Sequence, residues 1–560
     1  MGRTLTGAEA LVNTLKEHDI KDVFLIPGAA NLPICEALIS NRINRFLFRH
    51  EQGLGHALSG YAREARKVGV GLVTSGPGAI NTLTAIADAQ WDSTPIIVIC
   101  GQVPTSLLGT EAFQEAPIVE MSGHITKWSY QIKIPEEIPY VLDKAFTIAT
   151  NGRPGPVLID IPKDLQIHET LFPEKEIPPK ADKPELTPEI HAQLKEAAQI
   201  LHDAQNPLII TGQGVLLSGA VSDLRRLTEK TQIRVASTLH GLSALPSDHP
   251  LFVGMIGTHG RPVANLLAQE ADVILALGMK FDDRVSGKIL DSTRLADIIR
   301  IDIDSNRLNR RRGDRLTIRA DLALALPVLA EQAIEKPLDN YISDSSSMTE
   351  TRKMLAGDND LTITDATNLL FENTLDTDTI VSDAGSHQMS VARYGRFRRP
   401  GSFITTGGMG TMGFALPAAI GAQIASPDRR IIAIMGDGGF QMNIQELGTI
   451  MQYQLPVKIV IYNDCGYGMI REFGVDSSLT DLTNPDFPAL GATYGIEGRT
   501  VRTCYDLALA CDEMLSTPRP LILDLRLPKR AASSQTPEEA AFAQTVILHS
   551  KLPHSQVLNF

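Results

Sequence analysis

Cysteine is scarce in this sequence: five residues in 560, at positions 35, 100, 465, 504 and 511. None falls into a CxxC spacing. That argues against a disulfide framework and for free thiols in a reducing compartment, so the cytoplasm is the expected location. Positive charge is also in deficit. Lys and Arg number 52 against 65 Asp and Glu, a net charge of −13. This excludes nucleic acid or an anionic membrane as the main partner, because both need a basic face. A small anionic ligand needs only a local site and stays open. No uninterrupted apolar run approaches the ~20 residues that span a bilayer. The opening MGRTLTGAEALVNTL reads as an amphipathic helix capped by Thr6 rather than as a secretory signal. What is present is an ordinary globular balance, 43% hydrophobic and 21% charged, with length for three or so domains.

Two polar stretches read as linkers: residues 168–189, rich in Pro, Glu and Lys, and residues 335–360, rich in Ser. They predict domains over 1–170, 190–335 and 360–530, followed by a tail over 531–560. Within each block, short apolar runs alternate with helical patterns. VGLVTSG and PIIVICG stand in the first, PLIITGQG and DVILALG in the second, RIIAIMGDG and VKIVIYND in the third. That alternation predicts an α/β protein of three doubly wound parallel-sheet domains. Ligands then bind beyond the carboxyl ends of the strands, where the glycines lie. The outer blocks share an order of small-residue helix, apolar strand and Gly-rich turn, which suggests an internal duplication.

The chemistry concentrates in IIAIMGDGGFQMNIQELGTIMQYQLPVKIVIYND. A strand ends at Gly436-Asp437-Gly438, a helix is predicted from about Asn443, and Pro456 stops it. A second strand runs to Asp464. A right-handed βαβ unit makes the two strands parallel neighbours. Asp437 and Asp464 then meet at one end of the sheet and repel unless a cation lies between them. Taken alone, an Asp-Gly at a strand end is a solvated turn; the pair makes it a metal site. Gly436, Gly438 and Gly439 allow close approach of phosphate oxygens, and the following helix points its N-terminus at them. Two hard oxygen ligands plus phosphate oxygens are the usual way to hold Mg2+. Gly466 could add a backbone carbonyl.

This constellation resembles the diphosphate and Mg2+ motif of thiamine-diphosphate enzymes. That motif normally closes with Asn-Asn, where this chain has Asn463-Asp464. The resemblance extends over almost the whole chain, most closely to acetohydroxyacid (acetolactate) synthase large subunits. It rests on RHEQGLGHALSGYARE, TSGPGAIN, GTEAFQE, GMIGTHGRPVANLL, FDDRVSGKI, GSHQM and GGMGTMGFALPAAIGA. It implies decarboxylation of a 2-oxo acid, most simply pyruvate, and joining of the product to a second 2-oxo acid. It assigns Glu51 the hydrogen bond that activates the aminopyrimidine ring, and Met412 the prop for the bent cofactor. Gly385, Ser386, His387, Gly410, Gly466, Tyr467, Gly468 and Met469 match cofactor contacts. Pro27 and Gly28, with Ala29, match the loop facing the second reactant. Phe113 and Gln114 match a substrate pocket across a subunit boundary. Such sites are shared between chains, so a homodimer or homotetramer is expected. The resemblance also leaves room for a regulatory small subunit.

In the middle block Leu217 stands where GxGxxG needs its last glycine, so a dinucleotide fingerprint is absent. The family nevertheless places a non-redox FAD there. The matching positions are Gly212, Gly214, Thr238, Leu239, Thr258, His259, Lys280, Arg284, Asp302, Asp304 and Asp321. Phe473 stands where the family has a tryptophan favouring a larger acceptor, and Arg471 before it reads as a solvated helix residue. The alternative is therefore a 2-oxo acid decarboxylase, or a carboligase for another substrate, on the same fold.

Overall fold

The computed structural model describes residues 3–172, 185–282, 284–285, 296–309, 313–335 and 361–529. Most of both expected linkers, much of FDDRVSGKI and the 531–560 tail lie outside the described residues.

Three six-stranded sheets, each wholly parallel, organise these residues. Strands such as Gly69–Val73, Val273–Leu277 and Lys458–Asn463 are buried along their whole length. Helices cover both faces of such strands, which is why the sequence shows continuous apolar runs rather than alternation. Numbered within its own domain, the first sheet has strand order 2-1-3-4-6-5, and so does the third. That identity of topology is what a duplication of the outer blocks would leave. The central sheet has order 3-2-1-4-5-6, the doubly wound arrangement of dinucleotide-binding folds.

At the N-terminus, Thr6 and Glu9 close a reciprocal capping box on the helix Gly7–Glu17. The strand before it pairs antiparallel with Glu169–Phe172, tying the two ends of the first domain together.

The outer domains are joined by two small-residue helices, Glu51–Ala65 and Ala415–Ala425. A side chain at Gly60 would overlap the Ala418 carbonyl, and one at Gly421 would overlap the Ala57 carbonyl. The backbones therefore pack directly on each other. Glu64, buried beside this seam, accepts the Thr379 hydroxyl at 2.9 Å and pairs with Arg399 and Arg429. A second buried junction brings in the central domain. Asp92 accepts the backbone N–H groups of Gly407 and Gly408 and faces His240 at 3.0 Å. Arg63 reaches the other nitrogen of that imidazole at 3.2 Å. Asp88 accepts the hydroxyls of Thr406 and Thr411.

The βαβ unit differs from expectation in one respect. Its helix begins at Asp437 rather than near Asn443, directly after the strand, and runs only to Met442. Asn443 interrupts it by donating its side-chain amide to the Gly413 carbonyl at 2.8 Å. A second helix, Leu447–Tyr453, completes the crossover.

Candidate functional site

In the third sheet the strands Ile431–Gly436 and Lys458–Asn463 are parallel neighbours, with Gly436 opposite Tyr462. Asp437 and Asp464 thus leave the same edge of the sheet. Asp437 is 1% exposed. Its Oδ2 accepts the Gly466 N–H at 2.9 Å and the Asn484 amide at 2.6 Å. Burial raises its pKa despite those donors. Asp464 is pushed up to about 6, by burial first and by the charge of Asp437 second. A buried carboxylate whose charge raises the pKa of a half-buried neighbour is suited to a cation. Among the described residues, no group of three or more His, Cys, Asp or Glu could hold a metal. A cation here therefore needs oxygens from a ligand, as Mg2+ on a diphosphate would have.

Arg471 is not the solvated residue expected from sequence. It is 8% exposed, and its guanidinium donates to Asp464 at 2.8 Å and to Asp481 at 2.9 Å. The chain after the short helix Gly468–Arg471 folds back over the turn, with Tyr467 N–H on the Thr480 carbonyl, and buries it.

One cavity of about 1330 Å³ is lined by Gly385–His387, Gly410, Met412, Gly436–Gly439, Asp464 and Gly466–Met469 together. It lies where the strand order reverses, beyond Thr379–Ser382 and Ile431–Gly436. Glycine is required at its floor. A Cβ at Gly438 would sit 2.8 Å from the Tyr467 ring, and one at Gly439 would overlap the Asp383 carboxylate. Asp383, fully buried, accepts from the Gly413 N–H at 2.8 Å and holds the His387 ring at 2.7 Å.

The first domain's candidates form a separate group. Glu51 begins its helix and accepts the Asn81 amide at 3.0 Å. A Cβ at Gly78 would lie 3.3 Å from the Glu51 carboxylate, and one at Gly28 would lie 2.5 Å from Thr74. Gln114, at φ +62°, packs its backbone against Gly76 in the same turn. Phe113 is 88% exposed. None of Pro27, Gly28, Glu51, Phe113 or Gln114 lines the cavity of the third domain. The two groups of candidates therefore stand apart within one chain.

In the central domain Thr238, Leu239, His259, Lys280 and Arg284 line the same cavity as Gly436–Gly439 and Gly466–Met469. Gly212, Gly214, Thr258, Asp302, Asp304 and Asp321 do not. Gly212 and Gly214 pack against the backbone of Gly278, so protein already occupies the space a side chain would take. Asp321 caps its helix through the Ala323 N–H. Asp304 faces Arg153 of the first domain at 3.6 Å. Asp302 is 6% exposed, and its Oδ2 has no hydrogen-bond partner among the described residues.

Sequence reasoning missed Asn81, Asp383 and Asn484. The first lies in TSGPGAIN and the second just before GSHQM, so their motifs were visible and their roles were not. Asn484 follows an irregular stretch without periodicity, and only the fold brings it to Asp437.

Known proteins match along the same lines. Family models described as the thiamine pyrophosphate enzyme N-terminal TPP binding domain, central domain and C-terminal TPP binding domain match residues 5–121, 194–329 and 383–525. The acetolactate synthase isozyme 2 large subunit of Escherichia coli is 37% identical over 546 residues, 93% of this chain and 96% of that protein. The probable acetolactate synthase large subunit of Methanocaldococcus jannaschii is 38% identical, covering 95% and 94%. Acetolactate synthase 1 of Zea mays is also 38% identical, covering 93% and 85%. Three domain matches in order, and identity sustained over nearly the full chain, establish that it belongs to the thiamine pyrophosphate enzymes, among the acetolactate synthase large subunits.

Proposed function

We propose that this protein is a thiamine-diphosphate-dependent carboligase of the acetolactate synthase type. It decarboxylates pyruvate and joins the remaining two-carbon unit to a second 2-oxo acid. The observation that carries the reading is the pair of buried Asp437 and half-buried Asp464 at the switch point of the third sheet, both lining one large cavity. Asp437 and Asp464, with a Gly466 carbonyl, are the ligands we assign to Mg2+, and Gly436–Gly439 with Gly466–Met469 the cradle for the diphosphate. Bound thiamine diphosphate supplies a carbon nucleophile that also accepts the electrons released as carbon dioxide leaves. Glu51, oriented by Asn81, holds the proton exchanged with the aminopyrimidine ring. Met412 props the cofactor. Gln114 and Phe113 shape the reactant pocket with the Pro27-Gly28 loop.

The separation of the two groups of candidates supports a homodimer as the smallest active unit, each site combining Glu51 of one chain with Asp437 of the other. The named large-subunit relatives support a regulatory small subunit. FAD is the ligand proposed for the central domain, on the lining that Thr238, Leu239, His259, Lys280 and Arg284 share with the cavity. Among the described residues no helix is long and apolar enough to cross a membrane.

The test is a panel of 2-oxo acids with thiamine diphosphate and Mg2+. Acetolactate from pyruvate is the expected product, and acetaldehyde alone would overturn the carboligase reading in favour of a decarboxylase. A visible absorption scan of the purified protein decides the flavin.

A further inference from the structure

Asp464 brings a full negative charge to a position the motif normally fills with a neutral amide. That charge is not left to the metal alone. Arg471 Nη1 donates to Asp464 Oδ2 at 2.8 Å, and Nη2 donates to Asp481 Oδ1 at 2.9 Å. Asp481 in turn meets Lys529 Nζ at 2.6 Å. The pair is enclosed: the side chains of Arg471 and Asp464 are 9% and 18% exposed. Charge pairing so far from bulk water is strong, and breaking it strands a buried ion. The surrounding backbone is built around the guanidinium. A Cβ at Gly466 would overlap both Arg471 Nη2 and the Thr480 carbonyl. The Leu482 N–H on the Cys465 carbonyl closes the loop over it at 3.0 Å.

The contacts on the two aspartates follow one plan. Asp437 is held through Oδ2 by Gly466 and Asn484, and Asp464 is held through Oδ2 by Arg471. Asn463 is turned away, donating to Asp524 at 2.8 Å and accepting from Asn484 at 3.0 Å. We infer that Arg471 is a positioning residue that acts as an internal counter-ion. It neutralises Asp464 and fixes its carboxylate, so that the Asp464–Arg471 unit meets the cation as a neutral ligand would. This rests on the reading above that Asp437 and Asp464 hold a divalent cation.

The consequence is an affinity set by the arginine. Without it, buried Asp437 and half-buried Asp464, of like charge, would face each other, and the metal-free protein would be less stable. The cation would then supply the counter-charge that Asp464 had lost and would bind more tightly. The probe is Mn2+, followed by the electron paramagnetic resonance signal of the free ion, with thiamine diphosphate saturating. Melting temperatures without metal are measured in parallel. Arg471→Gln should bind Mn2+ roughly tenfold more tightly than wild type and melt lower without metal. If Arg471→Gln does not fold, Asp464→Asn is compared with Asp464→Asn/Arg471→Gln. Removing the arginine, which Asp464→Asn leaves paired with Asp481 alone, should then restore both Mn2+ affinity and melting temperature toward wild type. Unchanged or weaker Mn2+ binding by Arg471→Gln, or no recovery in the double variant, overturns the inference alone. Absence of stoichiometric Mn2+ binding by wild type overturns the reading of the site and the inference with it.

Discussion

Glu446 lies under the start of the helix that carries Glu51: its Oε1 accepts the His50 N–H at 3.1 Å. The same carboxylate takes the Arg49 N–H at 3.2 Å and the Thr449 hydroxyl at 2.6 Å. Glu446 belongs to the βαβ unit that carries Asp437, so one side chain braces the segments that carry Glu51 and Asp437. A Cβ at Gly53 would sit 2.6 Å from it. Glu446→Ala would strand two backbone donors and lower stability by about 2–4 kcal/mol. Thermal melting should show the loss, and Glu446→Gln, which keeps an acceptor, should recover part of it.

Asn81 fixes the Glu51 carboxylate with a single hydrogen bond of 3.0 Å. Asn81→Ala should cut kcat by about tenfold to a hundredfold while changing the KM for pyruvate little, because positioning is lost and substrate contacts are kept. Asn81→Asp should be worse, since it sets a second carboxylate against Glu51. Steady-state kinetics on the two variants, with circular dichroism to confirm folding, checks this.

If each site draws Glu51 from one chain and Asp437 from the other, two dead variants can complement. Glu51→Gln and Asp437→Asn chains, unfolded together and refolded as a mixture, would give mixed dimers with one intact site and one doubly impaired site. Activity should return to about a quarter of wild type, since about half the dimers are mixed and half their sites are whole. No recovery above either parent, despite mixed dimers seen by mass spectrometry, would place both residues of a site in one chain.

Stability should fall as pH rises from about 4 to 7. Burial and the neighbouring Asp92 push the Asp88 carboxyl up to about 7. Burial raises Glu446 to about 7 and Asp160 to about 6. In that window the unfolded chain has released protons that the folded chain retains. The contribution of these groups is therefore complete below about pH 4 and lost as pH passes their folded values. Melting temperatures across the range in metal-free buffer test the slope, and Asp88→Asn should flatten it.

The strand pattern, the parallel sheets and the placement of Asp437 beside Asp464 were legible because continuous apolar runs ending in glycine have few other solutions. Thr6 announced its own helix. The start of the helix at Asp437 was not legible, because two glycines argue against a helix until tertiary packing on Asp383 and Tyr467 is known. Arg471 was misread for a related reason. Its burial depends on residues 477–482 folding back over it, a contact with no local signal. Asn484 and Glu446 act across chain separations that no periodicity records, and burial alone shows that their polar atoms need partners.

The glycine seam between the helices Glu51–Ala65 and Ala415–Ala425 bears on how the chain can be recombined. With backbone touching backbone at Gly60 and Gly421, neither helix tolerates a partner of different contour. The first and third domains cannot be exchanged as independent modules. A chimera that takes its first domain from a relative must import the 415–425 helix as well, and must keep Arg63 of that seam matched to His240 of the central domain.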